Sequence, residues 1–159
     1  MRLVWGEFGP SVYSKRQENH KAYAYTLVHS AKQQKVDLKR EFQNYGRSES
    51  DLPPPQGKWD YKGSRIWLND TEIQPPVWTA SHTKRSNEIA LDNENWTARK
   101  PVEITLNKGW NKILLKLPVG KFTLPEVRLL KWQFTVFITD VEGNNPVNGL
   151  VYSPEKSLK

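Results

Sequence analysis

The chain contains no cysteine among its 159 residues. This excludes a disulfide framework and a thiolate zinc site, so the fold must be stabilised by packing. No stretch approaches the roughly 18 consecutive apolar residues that a membrane span needs. Residues 1–10 also lack the apolar run of a secretion signal. The sequence therefore predicts no membrane span.

Motifs that carry catalysis are also scarce. The histidines, His20, His29 and His82, show no metal-binding spacing, and no G-x-S-x-G elbow occurs. We therefore expect that this chain alone is not an enzyme. One alternative stays open, because four acidic residues could meet in space as a glycosidase pair. They are Asp60, Glu72, Glu94 and Glu142.

The formal net charge of +7 raises the question of a nucleic-acid partner. Basic residues occur singly or in pairs, such as Lys15-Arg16 and Lys84-Arg85, and acidic residues are interleaved throughout. This pattern is typical of a solvated surface rather than a phosphate-binding patch. Nucleic acid is therefore not an expected partner.

Alternation with a period of two residues dominates the sequence and predicts strands. We expect about eight strands in two packed antiparallel sheets, an all-β jelly-roll sandwich spanning residues 20–159. Residues 1–19 are predicted to be an N-terminal extension or linker packed on it. The predicted strands cover 23–29, 35–45, 64–69, 71–74, 101–106, 110–117, 131–139 and 150–152.

Three finer expectations follow from the alternation. In the second strand, Val36, Leu38 and Phe42 share one face and the other face is charged. Residues 101–117 predict a hairpin closed by the loop 107–109, whose glycine can adopt a left-handed conformation. Three further tryptophans lie on or at the start of strands and are expected in the core: Trp67, Trp110 and Trp132.

If each strand crosses the sandwich and reverses, the long connections 46–63, 75–100 and 118–130 share one end. The tight turns, at 31–34, 69–71 and 107–109, then share the other end. Long loops in a compact domain are often functional, and these carry aromatic and polar residues that suit sugar binding. The candidate carbohydrate-binding residues are Trp59, Asp60, Tyr61, Trp78, Asn93, Trp96 and Arg99.

Aromatic faces stack on sugar rings, while neighbouring polar groups bind the hydroxyls. The alternative is that these tryptophans fold inward and plug the end of the core, since large aromatics are highly buried on average. A separate segment, 140–145, groups oxygen ligands near a glycine. It allows a structural calcium ion but lacks the full calcium-loop pattern, so an ordinary turn is favoured and no cofactor is expected.

Two segments carry a family resemblance: RIWLNDTEI at 65–73 and PVEITLNKGWNKILLKL at 101–117. They resemble galactose-binding-like jelly rolls of the discoidin, or F5/8 type C, kind. In these, a strand ends in a Leu-Asn-Asp/Gly turn and a Lys-Gly-x-Asn turn precedes an aliphatic strand. More closely, GPSVY at 9–13, NENW at 93–96 and GLVYSP at 149–154 resemble the C-terminal accessory domain of bacterial chitobiases. Those are β-N-acetylhexosaminidases of glycoside hydrolase family 20.

The resemblance implies a domain appended to a catalytic barrel in a longer periplasmic, outer-surface or secreted protein. It implies two partners, a glycan containing N-acetylhexosamine or galactose and the parent catalytic domain, and it supplies no catalytic residues. The leading hypothesis is thus a non-catalytic carbohydrate-binding accessory domain. The alternative is a structural domain that packs against the catalytic domain without binding free sugar.

Overall fold

The computed structural model describes residues 20–43, 57–60, 62–75, 100–118, 133–141 and 145–156. Within these ranges all regular structure is β-strand, which confirms the all-β prediction. No helical segment there has the length and hydropathy to span a bilayer. The strands are β1 (Lys21–Ser30), β2 (Gln34–Gln43), β3 (Arg65–Leu68), β4 (Thr71–Ile73), β5 (Val102–Leu106), β6 (Gly109–Pro118), β7 (Gln133–Thr139) and β8 (Val151–Ser153).

The strands form two antiparallel sheets. The larger has five strands in the order β4-β3-β6-β1-β8, and the smaller has three in the order β5-β2-β7. The chain passes from one sheet to the other at every connection except the β3–β4 turn. Residues 1–19, predicted as an extension or linker, lie outside the described residues.

One hydrophobic core draws on both sheets, because alternate residues of each strand point inward. The larger sheet supplies Val28, Ile66, Ile73, Ile113, Leu115 and Leu117. The smaller sheet supplies Val36, Leu38, Phe42, Ile104, Leu106, Phe134, Val136 and Ile138. The shared inward face predicted for Val36, Leu38 and Phe42 on β2 is therefore confirmed.

The predicted hairpin at 101–117 is wrong. β5 pairs with β2, whereas β6 pairs with β1 and β3, so the turn at 107–108 carries the chain from one sheet to the other. The inward side chains of β5 and β6 therefore belong to opposite walls of the core. A hairpin within one sheet and a turn between two sheets both show alternation of apolar residues and a glycine in the turn. The sequence pattern therefore does not tell which strands pair.

The side chain of Asn111 explains how the chain turns this corner. Its amide nitrogen donates to the carbonyl of Asn107 at 2.8 Å, and its amide oxygen accepts from the Asn107 N–H at 2.8 Å. Both backbone groups of Asn107 are therefore satisfied without a ladder partner. The chain can therefore leave one sheet and enter the other without unpaired backbone groups at Asn107.

A second turn is tied to this corner. Asn69 and Asp70 have φ angles of +48° and +70°, the left-handed pair that a two-residue β-hairpin turn requires. The Asn69 side chain donates to the Asn111 amide oxygen at 2.9 Å and accepts from the Lys112 N–H at 2.8 Å. The predicted tight turn at this point is confirmed, and the two sequence motifs meet through their asparagines.

The strand directions also confirm the expected distribution of connections. Lys21, the first residue of β1, pairs with Pro118, the last residue of β6. Gln43, the last residue of β2, pairs with Gln133, the first residue of β7. β1 therefore begins, and β2 ends, beside the two residues that border the connection 119–132. β4 points toward this same end, since β3 runs antiparallel to β6 and β4 antiparallel to β3. The three long connections therefore depart from one end and the tight turns lie at the other.

Candidate functional site

Trp59 points inward, as in the alternative in which the loop tryptophans plug the end of the core instead of stacking on a sugar. It is only 3% exposed and belongs to the hydrophobic core. Its ring lies edge-on to Phe42, with centroids 6.0 Å apart, and the Arg40 guanidinium sits 4.3 Å from its centroid. A ring enclosed in this way is not available to stack on a sugar, so Trp59 plugs the end of the core.

Arg40 was missed by the sequence analysis, which placed charge only on the opposite face of β2. It shares the inward face with Leu38 and Phe42 and is fully buried. Its Nη1 donates to the carbonyl of Lys100 at 2.7 Å. Its position two residues after Leu38 is the signal that could have found it, because strand neighbours at i and i+2 share a face.

Asp60 is buried as well, at 5% exposure. Its carboxylate accepts hydrogen bonds from the N–H of Lys62 at 2.9 Å, the N–H of Ser64 at 3.0 Å and the Ser64 hydroxyl at 2.5 Å. Burial lowers the pKa of the Lys62 ammonium, and the Asp60 charge opposes this shift. In these contacts Asp60 shapes the turn that leads into β3.

The other predicted site residues lie outside the described residues. They are Tyr61, Trp78, Asn93, Trp96 and Arg99. A sugar site formed by the long connections therefore stays a prediction, and of the proposed set only Trp59 and Asp60 are placed, side by side and buried.

A different candidate surface lies on the outer face of the five-stranded sheet. Tyr23 and Tyr25 on β1 are 60% and 58% exposed, the largest exposures of any large hydrophobic side chain in the described ranges. Tyr25 lies opposite Leu114 on β6, and Leu114 lies opposite Trp67 on β3. Trp67 is half-buried and outward, so its predicted place in the core is wrong.

The next row of this face is polar. Tyr23 lies opposite Lys116 on β6, and Lys116 lies opposite Arg65 on β3. Directly opposite residues have Cβ atoms about 5 Å apart, so each row forms a continuous strip. We call the outward residues Lys21, Tyr23, Tyr25, Arg65, Trp67, Leu114 and Lys116 the aromatic face.

Trp110 lies at the far end of the same outer side. It is half-buried, and its ring lies edge-on to His29 with centroids 5.1 Å apart. Its predicted core position is therefore also wrong, whereas Trp132 lies outside the described residues.

The sequence signal for the aromatic face is the run Lys21-Ala-Tyr-Ala-Tyr25. Ala22 and Ala24 are the inward partners, packed against the core, while the tyrosines point out. The usual pattern has large residues inside and small or polar ones outside. On β1 the small alanines point inward and the large tyrosines outward, and this reversed pattern is a signal in the sequence from which an exposed aromatic surface could have been predicted.

The segment considered for calcium forms a turn in its described part. Asp140 accepts from the side-chain amide of Asn145 at 3.0 Å, and its own N–H donates to the Asn145 carbonyl at 3.0 Å. Residues 142–144 lie outside the described part. Within the described ranges, no three His, Cys, Asp or Glu side chains gather as a metal site.

No family model, curated protein or solved structure matches the chain. The described geometry defines the class of site by itself: an exposed, slightly basic aromatic face on an antiparallel sheet.

Proposed function

We propose that this chain is a non-catalytic jelly-roll domain that binds glycans on its aromatic face, as an accessory domain of an exported glycoside hydrolase. The observation that carries the proposal is the pair of tyrosines on β1, both more than half exposed, with Leu114 and Trp67 beside them. Neighbouring exposed aromatic side chains of this kind often mark a surface that binds a ligand or packs against another protein.

The chemistry of the face suits a sugar. Residues i and i+2 of a strand lie on the same face about 7 Å apart. The rings of Tyr23 and Tyr25 can therefore each contact one of two successive sugar units of a bound oligosaccharide. The apolar C–H faces of pyranose rings pack on aromatic rings, and the Tyr23 hydroxyl and the Arg65 guanidinium can hydrogen-bond the sugar oxygens. Glycans containing N-acetylhexosamine or galactose are the proposed ligands.

The proposed jelly-roll fold and the proposed role in a glycoside hydrolase are supported by other observations than the aromatic face. Antiparallel sheets of five and three strands, with connections that alternate between them, are compatible with a jelly roll. The accessory role rests on the resemblance of the sequence motifs to chitobiase C-terminal domains.

A second function is favoured by the same face. A contiguous apolar surface is also what a domain needs to pack on the catalytic domain of a longer chain. In that case Tyr23, Tyr25 and Trp67 would be covered by protein instead of sugar.

Titration of the purified chain with chitooligosaccharides and a panel of galactosides, followed by calorimetry, tests the proposal. We expect saturable binding that Tyr23→Ala and Tyr25→Ala each weaken by about tenfold, the loss of one stacked ring. Thr105→Ala, an exposed change on the other sheet, is the matched control and leaves binding unchanged.

Two further variants locate the site. Trp78→Ala and Trp96→Ala report on the long connections, and if only these abolish binding the sugar lies there and not on the aromatic face. No binding of any sugar, together with protection of Tyr23 and Tyr25 from chemical modification in the longer parent protein, would establish the packing role instead.

A further inference from the structure

We infer that the aromatic face selects glycans bearing carboxylate or sulfate groups, an inference that rests on the proposed function. Three cations lie near the more exposed tyrosine, one along its own strand and two across the sheet on one side. Lys21 precedes Tyr23 by two residues on the same face of β1, Lys116 lies directly opposite it on β6, and Arg65 is one strand further on β3.

Two of these cations are free to bind a ligand. The Arg65 guanidinium lies 3.6 Å from the Glu72 carboxylate on β4, which neutralises it in part. Lys21 and Lys116 form no ion pair among the residues described. Both lysines therefore occupy sheet positions that neighbour Tyr23, the residue whose ring would hold a sugar.

The outward positions of the five strands and the β3–β4 turn carry charge of the same net sign. The cations there are Lys21, Arg65, Lys112 and Lys116, and the acids are Asp70 and Glu72, so four less two leaves a net charge of +2. Lys112 is already paired with Asp70 at 2.7 Å. The formal net charge of the chain, +7, adds a positive field that attracts anionic polymers from a distance.

The number of free cations favours a charged glycan over a nucleic acid. Tight nucleic-acid binding commonly uses about 6–10 phosphate contacts, because every nucleotide carries a charge. Two free ammonium groups beside stacked rings match a chain with one charge per sugar unit or fewer. The tyrosine rings contact the sugar, and Lys21 and Lys116 meet its acidic substituents.

A matched pair of ligands isolates this charge effect. Oligogalacturonate and its fully methyl-esterified form share one backbone and differ in carboxylate charge. A sulfated galactan and its desulfated form make the same comparison for sulfate. In low salt we expect the charged member to bind the chain about tenfold more tightly, and the preference to shrink as salt screens exposed charges.

Variants assign the preference to the two lysines. The double change Lys21→Gln and Lys116→Gln should remove most of the tenfold preference while leaving binding of the neutral ligand intact. Lys108→Gln removes one charge from an exposed turn at the far end of the fold, and it should keep the preference. Melting temperatures of all variants show that each is folded.

The outcomes separate this inference from the proposed function. Equal affinity for charged and neutral members overturns the inference and keeps glycan binding. Failure of every glycan to bind overturns both. Tighter binding of a single-stranded oligonucleotide than of any glycan, lost in the double variant, also overturns the inference and assigns the face to nucleic acid.

Discussion

Asn111 is fully buried, and its side-chain amide forms hydrogen bonds with residues of two turns, the β3–β4 turn and the β5–β6 turn. It bonds the backbone of Asn107 in both directions, accepts from Asn69, and donates to the carbonyl of Val28 at 3.4 Å. Its identity therefore depends on hydrogen-bonding capacity rather than size. This gives a physical reason for the asparagine of the Lys-Gly-x-Asn motif.

Replacing this residue tests the role. Asn111→Ala leaves the N–H and carbonyl of Asn107 without their partners at a part-buried corner and empties a fully buried position, so we expect a loss of about 2–4 kcal/mol in the free energy of unfolding. Urea denaturation measures it. Asn107→Ala, which removes an exposed amide but keeps the backbone groups, should change stability by less than about 0.5 kcal/mol. Equal effects of the two changes would contradict the assignment.

The residues at the opposite end show where sequence reasoning stops. Trp59 and Asp60 have the composition of a sugar site, yet one ring packs under Arg40 and the carboxylate caps its own turn. Residue type alone does not reveal which way such a side chain faces. The buried partner, Arg40, comes from a distant part of the chain and decides the outcome.

At the scale of elements, the strands were predictable because alternation of apolar and polar residues is a local property. Each of the eight predicted strands overlaps an observed one within a few residues. The hairpin at 101–117 failed because the pattern says which residues face inward and not which strand lies beside them. Two consecutive strands with inward apolar residues can lie side by side in one sheet, or they can lie in two different sheets and face each other across the core.

Gly109 marks this crossing turn, and its φ of +96° is a conformation that other residues rarely adopt. A β-carbon built there would meet no atom within 4 Å, so a substitution would cost backbone strain alone. We expect Gly109→Ala to lower the free energy of unfolding by about 1–2 kcal/mol. Thermal denaturation measures the change.

The neighbouring Lys108→Ala provides the control for this turn, because Lys108 is exposed and its φ is negative. It should alter the melting temperature by no more than a surface substitution does. If Lys108→Ala is as costly as Gly109→Ala, the effect comes from a lost side chain and not from the glycine conformation.

At the scale of the whole molecule, alkaline pH should destabilise the fold through Tyr152 on β8. Burial raises the pKa of this phenol above its ordinary value of 10.0. Below pH 10 the phenol is protonated in both states, so its contribution is complete. As the pH rises further, the unfolded chain ionises first, and stability falls.

Melting temperatures between about pH 8 and 11 for the native chain and for Tyr152→Phe check this prediction. The native chain should lose stability more steeply with rising pH than the variant. The exposed Lys35–Glu103 pair, which raises the pKa of Lys35, weakens over the same range in both proteins and cancels in the comparison. Parallel curves would show that Tyr152 does not titrate differently on unfolding.

The sequence by itself determined the strand positions, the inward aliphatic residues and the Asn69-Asp70 turn, because each depends on neighbours within a few residues. It also determined, through strand parity, that the long connections share one end. Only the tertiary structure decided which strands pair, that Trp59 lies under Arg40, and that Tyr23, Tyr25 and Trp67 form one outer face. These depend on contacts between residues far apart in the chain, and a periodic pattern does not encode them.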